Sequence, residues 1–105
     1  MSHHIRLFQK GEFPLILLEG EITGEIHNEL FEIYYSVDED ARKKRVILDF
    51  SKVDYINSSG IAALIEIITS SEKFGGVIEC LNPKKQILHI LEVIGLTEIL
   101  KMTYE

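Results

Sequence analysis

The sequence holds one cysteine, Cys80, in 105 residues, so an internal disulfide is excluded. Cys80 ends an apolar run and is read as a small buried hydrophobe rather than a reactive thiol. No apolar run approaches the ~20 residues that a membrane-spanning helix needs, so no membrane insertion is expected. Cations are scarce: 11 Lys and Arg stand against 17 Asp and Glu, giving a net charge of −6 and a pI near 5.2. That balance argues against a nucleic-acid partner, which would call for clustered Lys and Arg. The one basic run, Arg42-Lys43-Lys44-Arg45, sits beside Asp38-Glu39-Asp40 and is expected to solvate a helix-to-strand connection. The start, Met1-Ser2-His3-His4, lacks a signal-peptide pattern, so the expected compartment is the cytoplasm. Neither a phosphate-binding loop nor a dinucleotide fingerprint is present, and no cofactor is expected. His3 and His4 form only a weak metal site on a terminus expected to fray, and no other metal constellation stands out.

What is present is a globular pattern. Hydrophobic residues make up 46% and charged residues 27%, and the length suits one domain over residues 1–105 with one substantial core. Ile5-Arg6-Leu7-Phe8 reads as a first strand, turned by Gly11 into a second. That second strand is Pro14-Leu15-Ile16-Leu17-Leu18-Glu19-Gly20, with Pro14 at its first position. Gly20 and Gly24 bracket a loop. A helix follows over roughly Glu25 to Val37, with Ile26, Leu30, Ile33 and Tyr34 on one face and Tyr35 half-exposed beside them.

Lys44 to Phe50 reads as the central strand, with Asp49 near its end bonding the following loop. A second long helix is expected from about Ser58 to Lys73, its inward stripe formed by Ile61, Leu64, Ile65 and Ile68 and widened by Ala62, Ala63 and Ile67. Gly75-Gly76 ends it. Val77 to Leu81 is the next strand. Asn82 is expected to cap a third helix with Pro83 in its first turn, Gly95 to close it, and a last turn and edge strand to follow. Ile87, Leu88, Leu91 and Ile94 are expected to form its inward stripe, and His89 falls off that stripe. Strands alternating with helices imply crossover connections and a mostly parallel sheet, an α/β fold.

The junction Tyr55-Ile56-Asn57-Ser58-Ser59-Gly60-Ile61-Ala62 carries the chemistry. It reads as strand, polar turn, helix, with two hydroxyls where the helix begins. A helix start has unpaired N–H groups and partial positive charge, and phosphate is stabilised there. Asn57, Ser58 and Ser59 are all good capping types, and capping alone is the commoner use of such a stretch. A serine nucleophile would need a general base. The nucleophile elbow also needs glycine two residues before the serine, whereas Ile56 and Asn57 precede Ser58. An enzyme using Ser58 with His89 or Asp49 is the least favoured reading, and no catalytic residue is assigned.

The segment Asp49-Phe50-Ser51-Lys52-Val53-Asp54-Tyr55-Ile56-Asn57-Ser58-Ser59-Gly60-Ile61 resembles the signature of STAS domains, the sulfate-transporter and anti-sigma-factor-antagonist family. The resemblance extends from about Leu15 to Leu96. It implies a mixed sheet of about five strands with helices mostly on one side. It also implies a phosphorylation-controlled switch, an anti-anti-sigma factor that binds an anti-sigma factor with serine kinase activity and releases a sigma factor. In the family the first serine after an aspartate accepts the phosphate, which maps onto Ser58. Asn57, Ser58, Ser59, Gly60 and Ile61 then form the partner-binding surface, and Ser59 is left to cap the helix. One departure is that Asn57 stands where the family has Asp. The alternative is a STAS scaffold in a signalling or transport complex that is never phosphorylated. The sequence does not decide self-association.

Overall fold

The computed structural model describes residues 3–105. Five strands form one sheet in the order β1-β2-β3-β4-β5: β1 is His3–Lys10, β2 Phe13–Ile22, β3 Arg45–Ile56, β4 Val77–Leu81 and β5 Lys101–Thr103. β1 and β2 are an antiparallel hairpin turned at Gly11 (φ 61°); every later pairing is parallel. The helices are α1 (His27–Ser36), entered through a 3₁₀ turn at Gly24–Ile26, then α2 (Glu39–Arg42), α3 (Ser58–Lys73) and α4 (Lys85–Val93). Each parallel connection steps to the adjacent strand in the same direction. Right-handed crossovers therefore place the helices on one face.

Burial follows from this. Ile16 and Leu18 of β2, Val46, Leu48 and Phe50 of β3, and Ile78 and Cys80 of β4 join one core with Leu30, Tyr34, Leu64, Ile67, Ile87 and Leu91 from the helices. The alternate rows, with Phe8, Phe13, Leu15, Arg45, Ile47, Glu79 and Leu81, point to the other face. There the Arg45 guanidinium lies 5.0 Å from the Phe13 ring and pairs with Glu79 at 3.2 Å, while Thr103 donates to the same carboxylate.

Several expectations are corrected. β3 does not stop at Phe50 but runs to Ile56. Two register shifts against β2 absorb its polar residues, and Asp49 Oδ1 accepts from the Ser51 N–H at 2.9 Å where the strand bulges. The inward face of α3 is Gly60, Ala63, Leu64, Ile67, Ile68 and Ser71; Ile65 is 44% exposed and Ile61 only half-buried. Asn82 does not cap α4. It is left-handed (φ 54°), its N–H donates to Thr103 O, and Lys84 holds the cap position without a side-chain bond.

Arg42 is not merely a solvating charge. Its guanidinium lies over Tyr35 and Phe74 at 5.1 and 4.9 Å, and donates to the backbone oxygens of Tyr35 and Val37. It thereby fastens the C-terminal ends of α1 and α3. His3 is part of β1 rather than a frayed end, with its Nε2 2.9 Å from Glu29 Oε1 on α1.

Candidate functional site

The parallel pairing of β2 with β3 brings the end of β2 beside the start of α3. Only Asn57 separates β3 from α3. It is extended (φ −111°, ψ 179°), and its Oδ1 accepts from the Gly60 N–H at 2.8 Å. Its own N–H donates to Ile22 O at 3.1 Å, and its carbonyl accepts from the Ile61 N–H at 2.9 Å. The cap is therefore Asn57, not Ser59. Asparagine and aspartate make this bond equally well, so the departure from the family pattern leaves the helix start intact.

Gly60 explains how close the helix comes. A Cβ there would lie 2.1 Å from Ile22 O, so no side chain fits. Gly60 is buried, while Ser58 and Ser59 on the same turn are exposed. On the neighbouring loop, a Cβ on Gly24 would lie 3.1 Å from Ser59 Cβ. Ser59 thus packs against the loop that leads into α1, and Ser58 is left facing outward. With Gly60 N–H bonded to the cap and Asn57 N–H to β2, the Ser58 and Ser59 amides are the open donors of this turn among the described residues.

The expected site residues Asn57, Ser58, Ser59, Gly60 and Ile61 do form one turn, but they differ in kind. Asn57 and Gly60 build it, Ser59 seals it against Gly24, Ile61 is half-buried, and Ser58 presents a free hydroxyl. Tyr55, half-exposed at the end of β3, flanks it. Reading the sequence linearly missed the contribution of Ile22 and Gly24. Their only signal is the parallel topology, which gathers the C-terminal ends of neighbouring strands.

A second link joins α1 to α3. The His27 Nε2–H donates to Glu66 Oε2 at 2.6 Å, and this bond, helped by Asn28, raises the imidazole above its ordinary pKa. Cys80 is fully buried, and burial pushes its thiol up to about 12, which leaves it no thiolate chemistry at neutral pH. A shallow cleft lined by His4, Glu19, Gly20, Lys52, Asp54 and Lys84 contains none of residues 57–61.

The STAS domain family model matches residues 4–105. The chain belongs to the STAS domain family. Solved structures agree on the fold. An anti-sigma factor antagonist from Mycobacterium paratuberculosis superposes with a TM-score of 0.79 at 16% identity, covering 97% of this STAS chain and 86% of that one. The phosphorylated form of the Bacillus cell fate determinant SpoIIAA gives 0.72 at 20% identity, over 97% and 91%. A sulfate transporter family protein from Wolinella succinogenes gives 0.74 at 21% identity, over 85% and 74%. No helix among the described residues is long and apolar enough to cross a membrane.

Proposed function

We propose that this STAS domain is an anti-anti-sigma factor: a protein-interaction switch, not an enzyme, that works in the cytoplasm by docking on an anti-sigma factor with serine kinase activity. Ser58 is the phosphate acceptor, and the turn Asn57–Ile61 is the contact. The observation that carries this reading is the exposed, free hydroxyl of Ser58 on the first turn of a 16-residue helix whose start is pinned to the sheet. Similarity in fold to SpoIIAA, solved in a phosphorylated form, supports it.

The switch is electrostatic. Phosphate adds about −1.5 to −2 charges at pH 7. In the free protein the open Ser58 and Ser59 amides and the helix dipole stabilise that charge. In a docked complex the same charge is buried without a partner, at a cost of several kcal/mol, which corresponds to a hundredfold or greater loss of affinity. No refolding is required, because Asn57 and Gly60 already fix the turn.

Incubation with the cognate kinase and ATP tests this by intact-mass spectrometry. One phosphate is expected on the wild-type chain, none on Ser58→Ala, and one on Ser59→Ala. Phosphate on Ser59 moves the acceptor by one residue. A second reading, a STAS scaffold that is never phosphorylated, is favoured by Asn57 in place of Asp and by the similarity to a sulfate transporter family protein. Kinase binding without any phosphate transfer selects that reading.

A further inference from the structure

The two edges of the sheet are unequal. β5 offers three residues; β1 offers eight, paired with β2 without a register break from His3↔Gly20 to Lys10↔Phe13. An edge strand presents a row of unpaired N–H and C=O groups that can template another strand. β1 has neither proline nor bulge to blunt it. It exposes Leu7 on the helix-side row (43%) and Phe8 on the open-face row (48%). Arg6, on the same row as Phe8, is exposed and joins no ion pair among the described residues. Lys10, at the end of that row, is neutralised by Glu105 at 2.7 Å.

A second copy of β1 fits this edge in one particular way. An antiparallel pair about a two-fold axis normal to the sheet keeps each row of side chains on its own face. Directly opposed residues must therefore come from the same row. Two registers then give the longest overlap. Residues 3–9 on themselves, centred on Arg6, set Arg6 against the partner's Arg6, and opposed like charges are destabilising. Residues 4–10 on themselves, centred on Leu7, set Leu7 against the partner's Leu7 and each Arg6 against the partner's Phe8. This sheet already uses an Arg–Phe cross-strand pair on the same face, between Phe13 of β2 and Arg45 of β3.

We propose that the protein self-associates through β1, as an antiparallel strand pair centred on Leu7 that joins two sheets into one. The contact covers Leu7 and Phe8 and places Arg6 over an aromatic ring twice. A single strand pair buries less than the ~1,200 Å² of a standard stable interface, so the association is weak and concentration-dependent. It does not involve Ser58 and stands independently of the switch.

Sedimentation velocity on the full chain, over a series reaching millimolar protein, is expected to show a monomer–dimer equilibrium. Leu7→Lys opposes like charges on the axis and should give monomer throughout. The swap Arg6→Phe with Phe8→Arg keeps every Arg–Phe pair in this register and should restore nothing less than wild-type association. Cross-linking reads the register directly. Leu7→Cys places two thiols within disulfide reach, whereas two copies of Gln9→Cys lie about 14 Å apart along the strands. Buried Cys80 does not compete. Oxidation should link Leu7→Cys at least about tenfold faster than Gln9→Cys. A wild-type chain that stays monomeric at every concentration overturns the proposal. So does a monomeric swap variant with an unchanged circular dichroism spectrum, or equal cross-linking of the two cysteine variants.

Discussion

Two helices of this STAS domain follow a strand and an asparagine, and the two asparagines do opposite things. Asn57 is extended and caps α3 through its side chain. Asn82 is left-handed, its Oδ1 accepts from the Glu105 N–H at 2.7 Å, and α4 starts later, behind an uncapped Lys84. The neighbouring strand decides. Asn57 N–H reaches Ile22 O on β2, which pins the first turn of α3 against the sheet. Asn82 N–H reaches Thr103 O on β5, which ties the residue to the C-terminal strand rather than to its helix. α4 is held at its start by the side-chain pair Lys84–Asp54 instead. A rigid turn with an outward hydroxyl therefore exists at α3 alone of these two starts, and that is where a switch can sit.

The contrast can be broken most severely at Gly60. Gly60→Ala forces a Cβ into Ile22 O, with an expected loss of ~3 kcal/mol or more in urea unfolding. The asparagines give a crossed pattern of smaller effects. Asn57→Ala should lose about 1 kcal/mol and Asn57→Asp almost none, since the cap bond survives. Asn82→Ala should also lose about 1 kcal/mol, from the left-handed backbone, whereas Asn82→Gly should be nearly neutral. A loss of about 1 kcal/mol at Asn57→Asp or at Asn82→Gly would erase the distinction. Ile65→Asp should cost about 1 kcal/mol without unfolding the domain, because Ile65 is 44% exposed on the outer side of α3.

The smallest effect is a pH dependence. His27 is raised in the folded state by Glu66, so its stabilisation is complete below the unfolded value near 6.5. It is lost as pH rises through the folded value. Tm should fall slightly over that window in the wild type, and this component should be absent in Glu66→Gln.

Alternation of strands and helices, the glycine turns at Gly11, Gly75 and Gly95, and the buried Tyr34 and Cys80 were legible in the sequence. The inward face of α3 was not, for a physical reason. Ile61, Ala62, Ala63, Leu64, Ile65, Ile67 and Ile68 surround the helix with aliphatics, so the apolar period hardly selects a face. The small residues Gly60 and Ser71 mark the buried side, because the backbone comes close there. The length of β3 was hidden by bulges that let Ser51, Lys52 and Asp54 lie in a strand. In the site, the Asn-Ser-Ser-Gly run was visible, but its division of labour was not. Which residue caps and which hydroxyl stays free depends on Ile22 and Gly24, distant in sequence and adjacent only through parallel pairing.

In the proposed switch, charge on Ser58, and not a change of fold, controls docking. The most direct measurement is isothermal titration calorimetry of the anti-sigma kinase against two purified forms of the chain, unmodified and singly phosphorylated on Ser58. The phosphorylated form is expected to bind at least about a hundredfold more weakly, with unchanged circular dichroism spectra for both. Equal affinities for the two forms would contradict the switch.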